Sequence, residues 1–259
     1  MSKKMTMQEA ITEAKRCLNC SRPLCRTGCP IENNIPEFVR ALSEGNIGNA
    51  YETIAERSNL PAICGRVCAH EKQCEAHCIL AKKNSAISIG SLEMFIADFA
   101  HEYGLNPVPP STGKRGKVAV IGSGPAGLTV AGDLAKMDFA VTIFEGQPEP
   151  GGVLLFGIPE FRLEKEVVRR EINILRKLGV EIVTEKLIGP DMTVDDLFAQ
   201  GYDAIFMGTG TALPRTLDIP GQELSGILTA TYFLKVVVLA DSGKLDKKEV
   251  LIHDDDDVV

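Results

Sequence analysis

Long apolar runs are missing from this chain of 259 residues. The best of them, Phe233 to Ala240, is too short to span a bilayer and contains Lys235. No apolar segment follows Met1-Ser2-Lys3-Lys4, so no secretory leader is expected and the setting reads as cytoplasmic and reducing. A surplus of positive charge is lacking too. The formal net charge is -7, whereas a nucleic-acid surface would need a basic patch. Histidines number four (His70, His77, His101 and His253), and they lie apart or in polar contexts. No acid–base pair or activated nucleophile emerges, so no catalytic side chain is expected.

What is present supports a globular core, with 44% hydrophobic and 24% charged residues. The length suits two domains, or one small domain on a larger one. The cysteines are the sharpest feature. All eight fall in two quartets, Cys17-x2-Cys20-x4-Cys25-x3-Cys29-Pro30 and Cys64-x3-Cys68-x5-Cys74-x3-Cys78. In a reducing setting such clusters are more often metal sites than disulfides. Thiolates at these spacings can converge on one centre, and a proline after the last cysteine is like a bacterial ferredoxin run. The quartets therefore read as ligands for two 4Fe–4S clusters. Structural zinc is the rival, since Cys-x2-Cys and Cys-x3-Cys pairs also suit zinc, although the longer inner gaps and Pro30 fit clusters better. His77, beside Cys78, reads as packing.

The pattern predicts a helix over residues 7–18, then amphipathic helices through Ile35–Leu42 and Tyr51–Ala55, separated by the stop Gly45-Asn46. A longer helix is expected from Ile89 to Tyr103, so residues 1–104 read as a helical domain built around its cysteines. Residues 105–116, with Asn106-Pro107-Val108-Pro109-Pro110, read as a linker with little to pack. From residue 117 to 259 the texture becomes α/β. Lys117–Ile121 reads as a buried strand, Leu128–Met137 as a helix and Ala140–Phe144 as a second strand, together a βαβ unit. A helix over Lys165–Leu178, a strand at Val180–Val183 and a buried strand at Asp203–Met207 follow.

Between the first strand and helix lies Gly122-Ser123-Gly124-Pro125-Ala126-Gly127, and Glu145 follows 23 residues after Gly122. That context gives a weak motif its meaning. Gly122 permits a tight turn, Gly124 lets backbone approach a pyrophosphate, and Gly127 allows helix and strand to pack closely. The helix N-terminus would face phosphates with unpaired N–H groups. Glu145 would accept from a ribose, favouring FAD or NAD over NADP. Gly151-Gly152 and Gly208-Thr209-Gly210 would also let backbone come close to a long ligand, and FAD suits them better.

These segments, with Ala86–Glu93 and Gly151–Leu163, resemble the glutamate synthase small (beta) subunit family of NAD(P)H-dependent iron–sulfur flavoproteins. The resemblance implies an α+β protein: an all-α iron–sulfur domain, then an α/β Rossmann-type FAD-binding domain that is incomplete at its C-terminus. It implies crossed wiring, in which Cys17, Cys20, Cys25 and Cys78 hold one cluster. Cys29, Cys68, Cys74 and Glu93 hold the second, nearer the flavin, with Cys64 a bystander. Four cysteines per quartet, with Glu93 a plain helix acid, remains the alternative. FAD would lie against Gly122, Gly124, Pro125, Ala126, Gly127, Glu145, Gly146 and Gln147. Gly152, Leu154, Gly157, Ile158, Pro159, Arg162, Ile188, Thr209 and Gly210 complete the implied set.

Family members continue into a second nucleotide-binding unit, whereas this chain ends at Asp254-Asp255-Asp256-Asp257-Val258-Val259. Its NAD(P)H site is therefore expected in a further C-terminal domain. The family also implies a larger catalytic subunit, or another protein, as electron acceptor, while the net charge and the short apolar run lead us to expect no nucleic acid and no membrane. The expected role is an oxidoreductase subunit that passes electrons from NAD(P)H through FAD and the clusters to that partner. A non-catalytic relay or partner-binding module without its own NAD(P)H site, and a zinc-stabilised nucleotide-binding protein, are the other readings.

Overall fold

The computed structural model describes residues 4–83, 85–105, 110–211, 217–224, 226–246, 248 and 250. His253, the terminal run Asp254–Val259 and linker residues Asn106–Pro109 lie outside them. The chain forms two compact units, one of residues 1–110 with 169–178, the other of residues 111–168 with 179–259.

The first unit is helical: α1 Met7–Ala14, α2 Leu24–Thr27, α3 Ile35–Ser43, α4 Ile47–Ala55, α5 Pro61–Val67 and α6 Ile89–Glu102. Thr6 starts α1 with a capping box, its hydroxyl accepting from Glu9 N while the Glu9 carboxylate accepts from Thr6 N. The helix ends at Ala14, short of the expected residue 18. Asn19 sits at φ +46, which turns the chain away and leaves Leu18 60% exposed instead of on a buried stripe. Gly45 (φ +80) closes α3, and Asn46 caps α4 by accepting from Asn49 N. The core gathers Phe38, Leu42, Ile54, Leu92 and Ile96, with Cys17, Cys25, Cys29 and Cys78 packed against it. Each such large side chain contributes about 1.5–3 kcal/mol by leaving water.

The second unit is built on a four-stranded parallel sheet. Its elements are β1 Lys117–Ile121, α7 Pro125–Lys136, β2 Ala140–Phe144, α8 Val153–Phe156, α9 Lys165–Lys177, β3 Glu181–Val183, α10 Val194–Ala199, β4 Ala204–Met207 and α11 Ala230–Asp241. Residues 169–177 of α9, with Leu178 after it, count with the first unit. The strand order is β3-β2-β1-β4, which puts β1 at the centre, with Val118 beside Val141 on one side and Ala204 on the other. Leu128 and Ile143 are fully buried, and Phe144 meets Tyr202 edge-on.

β4 corrects an expectation. It was read as a buried strand, yet Met207 is 68% exposed, because the strand lies at one end of the described sheet order. The residues before β1 are also less loose than a linker. Thr112 N donates to Asp138 Oδ1 at 2.6 Å, and Gly113 N does so at 3.2 Å. The short α5, α8 and α10 escaped the periodicity because four to seven residues are too few to display it. Among the described residues no helix is long and apolar enough to cross a membrane.

Candidate functional site

The cysteines are all free thiols, and their grouping cuts across the two quartets. A cavity of about 50 Å³ in the first unit is lined by Cys17, Cys20, Cys25 and Cys78, with Ile35, Val39, Ile87 and Ile89 among its apolar walls. Cys29 is not among the lining residues. The turn after α1 presents Cys17 and Cys20, α2 presents Cys25, and the 3-10 turn Ile79–Lys83 begins straight after Cys78. Burial pushes the Cys25 thiol up to about 11, and Cys17, Cys78 and Cys20 add like-charge repulsion. Burial raises Cys17 as well, helped by Cys20 and Cys78. Four sulfurs gathered in an apolar pocket form a donor set that a cationic iron core would satisfy once the thiols give up their protons. His77 also lines the cavity, but its Nδ1 faces the Gln73 carbonyl at 2.6 Å, and its ring fills the space where a Gly28 side chain would stand.

A second group centres on α5 and α6. Cys64 and Cys68 stand one helical turn apart, and Cys68 N donates to the Cys64 carbonyl at 3.2 Å. The Cys64 thiol donates to Cys68, which holds Cys68 down at about 7 and pushes Cys64 well up. Glu93 is buried on α6; burial, then Cys68, then Glu171 raise its carboxyl to about 8. Burial raises Cys74 strongly, and Glu75, Glu93 and Cys29 add to the effect. Cys29, Cys68, Cys74 and Glu93 thus share one electrostatic neighbourhood. Cys64, expected to stand aside, is in it too.

Gly65 explains the closeness of the two helices. A Cβ there would lie 2.5 Å from Met94 N and 3.0 Å from the Gly90 carbonyl oxygen, so the backbones of α5 and α6 meet beside Cys64 and Glu93. Among the described residues no three His, Cys, Asp or Glu side chains converge tightly enough to hold a single metal ion. A 4Fe–4S cubane spans several ångströms, and its ligands stand further apart than those around one zinc.

The pair is braced by residues that sequence reasoning missed. Arg66 on α5 donates to both Asp98 carboxylate oxygens, at 3.1 and 2.8 Å, and Arg170 on α9 donates to Asp98 Oδ1 at 2.5 Å. Burial opposes ionisation of Asp98, but the two guanidiniums outweigh it and hold the carboxyl low. Glu171, next along α9, accepts from Ala62 N. Arg66 lies inside the Cys64–Cys68 motif and was open to notice. Arg170 and Glu171 carried no signal beyond helical charge.

In the second unit the glycine turn is shorter than its motif, because α7 begins at Pro125 and takes Pro125, Ala126 and Gly127 into its first turn. A Cβ on Gly127 would lie 2.0 Å from the Gly122 carbonyl oxygen, and one on Gly122 would lie 2.5 Å from the Gly208 oxygen. A Cβ on Gly124 would meet nothing within 4 Å, so this backbone faces open space, as an approaching pyrophosphate requires. Gly152 (φ +51) packs on the same turn, its absent Cβ 2.7 Å from Gly124 Cα.

Glu145 is buried at the end of β2 and holds the turn directly. Its Oε2 accepts from Ser123 N at 3.0 Å and from Ser123 Oγ, and its Oε1 accepts from Gln147 N at 2.9 Å. Ser123 Oγ in turn accepts from Gly151 N. Gly146 abuts Leu187, next to Ile188, and Lys186 N donates to the Glu145 carbonyl. Thr209 and Gly210 follow β4, with Thr209 Cα 3.2 Å from where a Gly122 Cβ would be. Leu154 is buried in α8, and Gly157, Ile158 and Pro159 leave that helix half-buried. Lys165, also buried, ties this stretch by donating Nζ to the carbonyls of Ile158 and, at 3.4 Å, Leu154. Arg162 is half-buried, with its backbone N–H bonded to the Pro159 carbonyl.

The chain is similar to known proteins in both of its regions. Residues 1–105 match the dihydropyrimidine dehydrogenase domain II, 4Fe–4S cluster family, and residues 116–252 match the pyridine nucleotide-disulphide oxidoreductase family. The glutamate synthase [NADPH] small chain of Halomonas elongata is 41% identical over 228 residues, 88% of this chain and 48% of the relative. The Escherichia coli K12 small chain is 39% identical over 227 residues, 87% of this chain and 48% of the relative. The NAD-dependent dihydropyrimidine dehydrogenase subunit PreT of Escherichia coli O157:H7 is 39% identical over 208 residues, 79% of this chain and 50% of the relative. The chain thus spans about half the length of the curated relatives it matches. With a helical iron–sulfur region ahead of a parallel-sheet α/β region that covers more than half of its length, the chain is a homologue of glutamate synthase small chains and belongs to the pyridine nucleotide-disulphide oxidoreductase family.

Proposed function

We propose that this chain is the electron-input part of an NAD(P)H-dependent iron–sulfur flavoprotein, working with a larger partner subunit as glutamate synthase small chains are named for. In this reading residues 1–104 hold two 4Fe–4S clusters, residues 105–116 join the domains, and residues 117–259 hold FAD. When bound, FAD would take a hydride from NAD(P)H and the clusters would pass its electrons on singly. Cys17, Cys20, Cys25 and Cys78 hold one cluster in an apolar pocket, and Cys29, Cys68, Cys74 and Glu93 hold the other. Gly122 and Gly124 let backbone approach the FAD pyrophosphate, while Glu145 sets the turn and faces the ribose. Gly146, Gln147, Gly152, Leu154, Gly157–Pro159, Arg162, Ile188, Thr209 and Gly210 line the rest of the flavin site.

The observation that supports this most is the cavity that unites Cys78 with three cysteines of the other quartet. Anaerobic purification with a count of iron, sulfide and flavin tests it. Close to two 4Fe–4S clusters per chain are expected, with the brown colour of iron–sulfur protein. Zinc with no iron would end the reading.

A relay module without its own NAD(P)H site is the second reading. NAD(P)H oxidation with an artificial acceptor separates the two. Turnover by this chain alone would overturn the relay reading.

A further inference from the structure

The cavity of Cys17, Cys20, Cys25 and Cys78 opens through a rim that is apolar. Leu18, Leu24 and Ile79 line it, yet they are 60%, 55% and 49% exposed. Three large apolar side chains turned to water around one opening form the kind of patch that marks a binding face. The segments that carry these three side chains are basic. Arg22 lines the cavity, Arg26 shares α2 with Leu24 and Cys25, and Lys82 and Lys83 share the short turn of Ile79. Residues 14–31 and 76–83 contain no Asp or Glu, in a chain whose net charge is -7. The carboxylates beside lining residues are engaged: Glu37, next to Pro36, by the Asn34 side chain, Glu13 by Arg16 and Ser88 N, and Glu75 by Gly90 N.

We infer that this rim is the docking face for an electron-acceptor protein that presents an acidic surface, and that electrons leave the chain here. The inference rests on the reading that the cavity holds a cluster, and it names the chemistry of the partner. An apolar centre inside a charged border is the usual anatomy of an interface. Opposite charge steers the encounter and sets the orientation, whereas the leucines exclude water from the short path to the thiolates. One electron crosses at a time with no bond made or broken: the bound cluster is oxidised by one electron and the acceptor is reduced by one.

The test uses the anaerobically purified chain, its iron counted and its clusters recorded by electron paramagnetic resonance, then reduced with dithionite and freed of excess reductant. Stopped-flow mixing with oxidised cytochrome b5, which is acidic, and cytochrome c, which is basic, reads the transfer as ferric haem becomes ferrous. Transfer to cytochrome b5 is expected to slow about tenfold as salt rises from about 20 to about 300 mM. The paired change Lys82→Glu and Lys83→Glu is expected to slow cytochrome b5 by a similar factor at low salt and to speed cytochrome c, with the cluster midpoint potentials unchanged. Leu24→Ser is expected to slow cytochrome b5 without altering the salt dependence.

Rates indifferent to salt and to these changes would overturn the docking face. So would variants that shift the cluster potential but not the rates, for the basic groups would then serve the cluster's own charge. A chain dimer that the lysine changes dissociate would assign the face to a second copy and overturn the proposal as well. A wild-type chain without a 4Fe–4S signal would instead overturn the cluster reading, and this inference with it.

Discussion

Glu171 on α9 accepts a hydrogen bond from the Ala62 amide at 3.2 Å, across 109 residues of sequence. Helix α5 starts after Leu60, which offers no side-chain cap, so its early N–H groups need partners from elsewhere. A buried carboxylate from a remote segment supplies one. It thereby steadies the helix that presents Cys64 and Cys68.

That carboxyl should make stability depend on pH. Burial raises it from 4.5 to about 7, and Arg170 offsets only part of the rise. The folded state therefore binds the proton more tightly than the unfolded state. Its contribution is fully present below about pH 4.5 and is lost as pH rises to about 7, an effect of up to about 3 kcal/mol. Glu171→Gln should flatten the urea-unfolding profile across this window. An unchanged difference between pH 5 and pH 7.5 would count against the assignment.

Asp98 joins two arginines from different helices, with side-chain exposures of 13% for each arginine and 25% for the acid. Asp98→Asn should cost about 2 kcal/mol, below the figure for a fully buried pair because water reaches the site. Arg170→Met should cost less, since Arg66 keeps its bonds to the acid. A double-mutant cycle between Arg66 and Arg170 should show coupling, because the two share one carboxylate. Additive effects would mean that the bridge does not act as a unit.

The glycines separate crowding from backbone freedom. Gly127→Ala sets a Cβ 2.0 Å from a carbonyl oxygen and should abolish flavin retention with a marked fall in Tm. Gly45→Ala has open space and only a positive φ, so it should cost about 1 kcal/mol and leave flavin content unchanged. Equal effects at both positions would show that contact with the turn is not what matters.

Cys68→Ser should remove one cluster signal and about half of the iron, whereas Cys64→Ser should retain both clusters with a modest shift in one. Electron paramagnetic resonance and an iron assay read both variants. The reverse outcome would make Cys64 the ligand and Cys68 its neighbour.

Much of the second unit could be read from residue order. Lys117–Ile121, the glycine motif, a helix and Ala140–Phe144 form the βαβ unit with parallel register. Local rules govern these elements: strand propensity, a turn that only glycine tolerates, and a helix that must cover the sheet. Boundaries set by non-local packing were less legible. Helix α1 stops at Ala14 although apolar spacing continues to Leu18, and β4 leaves Met207 in water at the end of the sheet order. The sequence reads Glu145 as a ribose acceptor; what the fold shows is its carboxylate bonded to the turn through Ser123.

Sequence alone determined that this chain has a cysteine-rich helical region ahead of a nucleotide-type α/β region, because spacing, periodicity and glycine placement act over a few residues. Tertiary structure decided which sulfurs are neighbours, a grouping that cysteine spacing left open and that only the family resemblance implied. Cys78 joins Cys17, Cys20 and Cys25 while Cys29 turns toward Cys74, because α3, α4 and α6 fold the second cysteine segment back onto the first. The α5–α6 pair likewise owes its brace to a helix that follows the glycine motif. Distance along a chain carries no information about such contacts; only the packing of its helices does.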